Sequence, residues 1–165
     1  MPTKMLREFL DEQGIQYNVI PHQVAYTARQ TASVTHIPRH ELAKTVIVKV
    51  DGVMAMAVLP AAQEIDPSLL RTAIGARSVN VARESEFQDR FPECEIGAMP
   101  PFGNLYRMTV YVDESLTKDE HISFNAGSHY ELLQISYADF ERVVKPRVLK
   151  FTALHEAELL GAWHR

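Results

Sequence analysis

Two β-rich runs, Thr45 to Val50 and Val53 to Leu59, are separated only by Asp51-Gly52. A two-residue connection needs positive φ at its centre, which Asp and Gly tolerate, so the two runs have to lie antiparallel as a hairpin. Helical signals surround it. Thr3 can cap a helix carrying Met5, Leu6, Phe9 and Leu10 on one stripe, and Gly14 closes it where a left-handed residue is wanted. Thr27 with Gln30 three residues on fits a capping box for a helix that must end before Pro38. Asp66-Pro67 opens another helix ended by Gly75, and Ser136 with Asp139 starts one that stops before Pro146.

Further strands are expected at Tyr17 to Ile20, Arg77 to Ala82, Arg107 to Asp113, His121 to Ala126 and Glu131 to Ile135. A short helix is expected over Ser85 to Phe91 and a last one over Thr152 to Trp163, whereas Pro92 to Asn104 is too rich in Pro and Gly to be either element. Two-residue turns force antiparallel neighbours and helical crossovers allow parallel ones. The expected class is therefore α/β with a mixed sheet.

At 165 residues the chain is about one domain, able to bury roughly two thirds of its unfolded surface. No repeat, low-complexity segment or linker divides it, so a single domain over residues 1–165 is expected. Its longest apolar stretch, Val53 to Pro60, falls far short of the roughly 20 residues that span a bilayer, and Met1-Pro2-Thr3-Lys4 leads into charged sequence rather than a signal core. A cytoplasmic protein without a membrane role is the expectation. The one cysteine, Cys94, cannot form an internal disulfide. Seventeen Lys and Arg against 21 Asp and Glu give a net charge of −4, which argues against wrapping duplex DNA. The segment Arg142 to Lys150 nonetheless holds Arg142, Lys145, Arg147 and Lys150 with no acidic residue, a pattern of a solvated face or of a local anion-binding patch.

Nucleotide-binding fingerprints, a phosphate loop and a nucleophile elbow are absent. His36 and His40 have helical spacing, but Pro38 interrupts it and no third ligand is near, so neither a metal nor a cofactor is expected. Three segments carry the remaining chemical interest. Lys44 has the strand parity of Val46, Val48 and Val50, so if those valines face the core Lys44 enters the sheet rim pointing inward; a stem packed on apolar surface with its head in water fits the same spacing. Gly97-Ala98-Met99-Pro100-Pro101-Phe102-Gly103 is stiff, and either offers the amides of Gly97, Ala98 and Met99 to a ligand or is a tight turn. Asn125-Ala126-Gly127-Ser128-His129 is a polar turn between strands or part of a site.

Taken in order, Ala43-Lys44-Thr45, the Gly-x-x-Pro-Pro-Phe-Gly loop and Phe124-Asn125-Ala126-Gly127-Ser128 after Tyr111-Val112-Asp113 resemble the YbaK/prolyl-tRNA synthetase-associated editing-domain family. The resemblance runs from about Lys4 to Lys145 and leaves residues 146–165 as an extension. It implies a mostly antiparallel, barrel-like mixed sheet flanked by helices. It also implies hydrolysis of the ester between an amino acid and the 3′-terminal adenosine of a mischarged tRNA, of the proline type, by a free-standing protein acting in trans.

By the same resemblance Lys44 matches the functional lysine and Gly97 to Pro101 the substrate-cradling loop, with Asn125, Gly127, Ser128 and His129 beside it. His129 lies where alanine-editing relatives place a functional histidine, while Thr45 departs from the Asn that follows the lysine in them. The expected partners are a tRNA acceptor end, held by Lys145, Arg147 and Lys150, and an aminoacyl-tRNA synthetase. An aminoacyl ester is already activated, so such a site chiefly positions water and stabilises charge on the carbonyl oxygen. Two other readings fit the residues: a non-catalytic module binding an aminoacyl or adenosine group, and a thiol hydrolase centred on Cys94.

Overall fold

The computed structural model describes residues 3–154. The hairpin forms as its turn chemistry requires: Asp51 and Gly52 sit at φ of 50° and 84°, and β2 (Ala43–Val50) pairs antiparallel with β3 (Val53–Pro60) along their whole length. Around it lie α1 (Lys4–Glu12), β1 (Asn18–Pro21), α2 (Ala28–Thr35), β4 (Gln63–Ile65), α3 (Pro67–Ile74) and β5 (Val79–Val81). The rest comprises α4 (Glu84–Phe87), β6 (Thr109–Asp113), β7 (His121–Asn125), β8 (Glu131–Ser136), α5 (Tyr137–Val144), β9 (Arg147–Leu149) and β10 (Thr152–Leu154). Thr3, Thr27, Asp66 and Ser136 cap α1, α2, α3 and α5, each accepting a backbone N–H from the first turn. The stops are equally local, since Gly75 and Lys145 take left-handed φ, the latter just before Pro146.

A five-stranded sheet runs β5-β2-β3-β6-β9, antiparallel as far as β3 and parallel from there to β9. A second sheet, β1-β8-β7, is antiparallel throughout, and β4 forms a ribbon with β10. The two larger sheets touch at a Leu42↔Ser123 bridge, where Ser123 N–H donates to Glu41 O at 2.9 Å. The mixed, mostly antiparallel sheet flanked by helices is as expected, but the barrel it suggests is not closed.

Strand parity sorts the large sheet into two buried faces. Ala43, Ile47, Met56, Val58, Val110 and Val112 face the main core with Leu6 and Leu10 of α1 and Phe102, Phe124 and Phe140. Val48, Ala55, Ala57, Leu59 and Tyr111 face a second cluster closed by Leu70 of α3 and by Phe151. Burial on both sides explains why β3 reads as an unbroken apolar run.

Three expectations are corrected. The helix expected from Thr152 is strand β10 where it is described, because Phe151 is fully buried and ties the chain down: its N–H donates to Asp113 Oδ1 at 3.0 Å and its carbonyl accepts from Asp66 N–H at 2.7 Å. The remainder of that helix, residues 155–163, lies outside the described residues. The helix expected at Ser85 to Phe91 is α4 followed by a 3₁₀ turn over Gln88–Arg90. Met5, placed on the buried stripe of α1, is exposed.

Candidate active site

Lys44 shares the face of Val46, Val48 and Val50, and that face is buried, so the side chain does turn inward and is only 24% exposed. Its Nζ lies 3.7 Å from Glu64 Oε1 on β4. Burial pushes the Lys44 ammonium below the usual lysine range; Glu64 opposes this and the Arg39 charge adds to it.

Lys44 lines a cavity of about 200 Å³ together with Tyr26, Thr31, Thr45, Gly97 and Asn125. Asn125 Oδ1 is buried there without a hydrogen-bond partner, and among the described residues no acceptor takes the Gly97 N–H. A buried polar atom left unpaired is costly in an empty site and is satisfied by a polar ligand. The cavity is thus lined by one cation, by a glycine whose N–H is not spent on another residue and by an unpaired amide side chain.

Beneath Gly97 the two predicted loops are laced together. Glu95 N–H donates to Gly127 O at 2.8 Å, Gly127 N–H to Ala98 O at 2.8 Å, and His129 N–H to the Glu95 carboxylate at 2.6 Å. Gly97 sits at φ 83°, and a Cβ on it would stand 3.5 Å from the His129 ring. Gly127, at φ 109°, packs so close to the helix-capping Thr3 that a Cβ would lie 2.7 Å from Thr3 Cγ2. Ser128 and His129 are buried as supports, neither lining the cavity.

Of the predicted residues, then, Lys44, Gly97 and Asn125 meet. Ala98, Met99, Pro100 and Pro101 do not line the cavity: all four are buried, Met99 in the main core, and the Ala98 N–H is spent on Glu95 O at 3.0 Å. The stiff loop acts as a packed anchor that holds Gly97 outward. Lys145, Arg147 and Lys150 are exposed along the far edge of the large sheet, with Arg147 5.6 Å over the Tyr111 ring. Arg142 is neutralised by Asp139 at 3.1 Å.

Cys94 is half-buried, 3.9 Å from the Tyr106 hydroxyl, and burial pushes its thiol up, the opposite of an activated nucleophile. His36 caps α2, and His40 Nδ1 lies 2.8 Å from Asp119. Among the described residues no three His, Cys, Asp or Glu side chains gather as a metal site, and no helix is long and apolar enough to cross a membrane. A larger cavity of about 430 Å³, between Met5, Arg90, Pro92, Tyr106 and Arg107, is lined by none of the predicted site residues. The Lys44 cavity brings a largely buried ammonium and an unpaired buried amide oxygen together, and convergent polar groups of this kind mark a site.

Sequence reasoning missed Tyr26, Thr31 and Glu64. Tyr26, a large aromatic 72% exposed just ahead of the α2 cap, carried a readable signal; Glu64 carried none, since only the fold brings it to Lys44.

The fold is shared with solved structures. "Hypothetical protein APE2540" superposes with a TM-score of 0.82 at 18% identity, covering 91% of this chain and all of that one. A crystal structure described as that of a trans-editing enzyme for prolyl tRNA synthetase gives 0.77 at 15%, covering 91% and 96%. In sequence the chain is 26% identical over 147 residues to the multifunctional Ser/Thr-tRNA deacylase ProXp-y of Escherichia coli (strain K12), spanning 86% of this chain and 87% of that one. The aminoacyl-tRNA editing domain model matches residues 22–143, a span that takes in Lys44, Gly97, Asn125 and the loops beneath them. With most of its length and its whole cavity inside that match, the chain belongs to the aminoacyl-tRNA editing domain family.

Proposed function

We propose that this protein hydrolyses, in trans, the ester joining an amino acid to the 3′-terminal adenosine of a mischarged tRNA, and that it does so in the cytoplasm. The observation that carries this reading is the convergence of Lys44, Gly97 and Asn125 on one small cavity. A water attacks the ester carbonyl carbon, and the negative charge that develops on the carbonyl oxygen is met by the Lys44 ammonium and the Gly97 N–H. The C–O bond then breaks, the water's oxygen stays on the amino acid and its proton leaves with the ribose oxygen. The neighbouring ribose hydroxyl holds the water, so no protein nucleophile is required.

Thr31, whose hydroxyl donates to Thr27 O at 2.9 Å, lines the cavity with Thr45 and Asn125, polar residues that suit a small hydroxylated amino acid, and the Escherichia coli relative is a Ser/Thr-tRNA deacylase by name. The proline acceptor remains the first tRNA in this reading, in keeping with the structural neighbour described for prolyl tRNA synthetase; a synthetase would be the partner that delivers it.

A deacylation screen over mischarged tRNAs tests the reading, beginning with proline acceptors and with seryl- and threonyl-tRNAs. Release of the amino acid is expected from a subset of them, and Lys44→Ala should lose roughly 10²- to 10³-fold in rate while staying folded. Near-normal turnover by folded Lys44→Ala overturns the mechanism, and binding without hydrolysis across the panel makes the protein a binding module instead.

A further inference from the structure

The family match ends at residue 143, yet the chain beyond it pairs with the strand that carries Glu64. After α5 the backbone adds β9 to the edge of the large sheet and buries Phe151 against Leu59, Leu70 and Tyr111. Phe151 is pinned from both sides, by Asp113, itself 1% exposed, and by the Asp66 N–H. That anchor delivers β10 alongside β4, with Ala153 opposite Glu64 and the Thr152 hydroxyl bonded to the Gln63 side chain. Ile65 packs into the second cluster, so Glu64, of opposite parity on β4, points away from it and meets Lys44.

We infer that Glu64 is the positioning residue for Lys44, its carboxylate holding the lysine side chain at the cavity from a strand that the C-terminal segment completes. The inference rests on the proposed role of Lys44. An ammonium on a flexible four-carbon stem has no preferred geometry of its own, and an ion pair on a fixed strand supplies one. The charged groups acting on Lys44 are Glu64 from β4 and Arg39 from the turn before β2. Glu64 works against burial and Arg39, so with it the lysine stays protonated to higher pH. Without it, burial and Arg39 act unopposed and the ammonium is lost at lower pH.

The test uses the full-length chain with Glu64→Gln, Glu64→Asp and Lys44→Ala. The Lys44 amine is followed by NMR titration of ¹³C-methylated protein, its resonance assigned with Lys44→Arg. Turnover is measured against pH with spontaneous ester loss subtracted. In Glu64→Gln the Lys44 titration is expected to move to lower pH and the alkaline limb of kcat to move with it. Above that limb kcat should fall roughly fivefold, the factor one unit charge about 4 Å away carries in a water-like dielectric, with KM unchanged. Glu64→Asp should restore most of the loss.

A merely structural role would lower activity equally at every pH and leave the lysine titration where it was, and that result overturns the inference. If Lys44→Ala has lost turnover while Glu64→Gln shifts neither titration nor profile, this inference alone falls. If folded Lys44→Ala remains active, the proposed function of Lys44 falls and takes the inference with it.

Discussion

His129 Nε2 donates to the carbonyl oxygen of Ile96 across 2.6 Å, joining the β7–β8 turn to the residue just before Gly97. A carbonyl only accepts, so Nε2 carries the proton, and Nδ1 is left buried without a partner. The histidine is 6% exposed and does not line the cavity. Its geometry is that of a strut that fixes where the Gly97 amide points.

His129→Gln should therefore be tolerated better than His129→Ala, because the glutamine amide can place a donor near the Nε2 position. The alanine removes the donor that ties the carbonyl of half-exposed Ile96 and frees the Gly97 loop. Denaturant unfolding and turnover read together check this. Equal loss in both variants would assign the imidazole a chemical role rather than a supporting one.

Tyr26 stands with its ring centroid 5.1 Å from that of His129, tilted by 56°, and is 72% exposed at the cavity wall. An exposed aromatic held by a second ring would suit the terminal adenine as a stacking platform. Base–aromatic stacking contributes about 1–3 kcal/mol per base, so Tyr26→Ala should raise KM roughly tenfold with a smaller change in kcat, and Tyr26→Phe should keep wild-type KM. Steady-state kinetics on one mischarged tRNA distinguish the two; an unchanged KM in Tyr26→Ala places the adenine elsewhere.

What could be read in the sequence was local. The Asp51-Gly52 turn, the Thr3, Thr27, Asp66 and Ser136 caps and the stop before Pro146 each depend on neighbours within four residues, and all formed. Lys44's inward turn followed from a period of two. That period did not say which of two buried faces the lysine joined, because both sides of the sheet are apolar. Three-residue strands such as β4 and β10 hold too few positions to show alternation, and Gln63 pairs with Leu154 across 91 positions of sequence. Glu64 was thus invisible. Two adjacent prolines argue for a stiff loop, but stiffness does not reveal burial: Phe102 at its end is fully buried and carries the loop inward.

Cys94 gives a prediction with a sign. Its thiol is pushed up by burial first, against a smaller pull from the Tyr106 hydroxyl, and Glu93 adds a lesser push upward. The thiol therefore stays protonated to higher pH than a free cysteine, and little thiolate exists near neutrality. Cys94→Ser should keep near-normal deacylation, and iodoacetamide should label the native protein slowly without inactivating it. Abolition of turnover by either, in folded protein, would move the reaction to the thiol.

The last prediction concerns how an acidic protein holds tRNA. Strand register places Val46, Ala57, Tyr111 and Arg147 in one row across β2, β3, β6 and β9. Three strand spacings of about 4.8 Å put β9 roughly 14 Å from β2, and Arg147 has the face parity that Lys44 shares with Val46. Leu70 and Phe151 close over the row between them, so acceptor-end phosphates upstream of a terminal adenosine in the cavity would reach β9 over the outside of that cluster. Arg147 is also braced, its guanidinium lying over the Tyr111 ring, so it loses little freedom on meeting a phosphate. Lys145 and Lys150 flank it, both exposed, whereas Arg142 is already paired with Asp139 and should contribute little. Replacing Lys145, Arg147 and Lys150 together by Gln should weaken tRNA binding and lower the slope of log affinity against log salt by roughly 0.7–0.9 for each phosphate no longer neutralised. Turnover of bound substrate should barely change, because none of the three approaches the ester. Arg142→Gln, as the internal control, should leave the slope alone. Titrations at four or more salt concentrations decide it: a triple variant with the parent slope places the backbone on another surface, and a triple variant with the parent affinity but lower kcat gives these residues a part in the reaction itself.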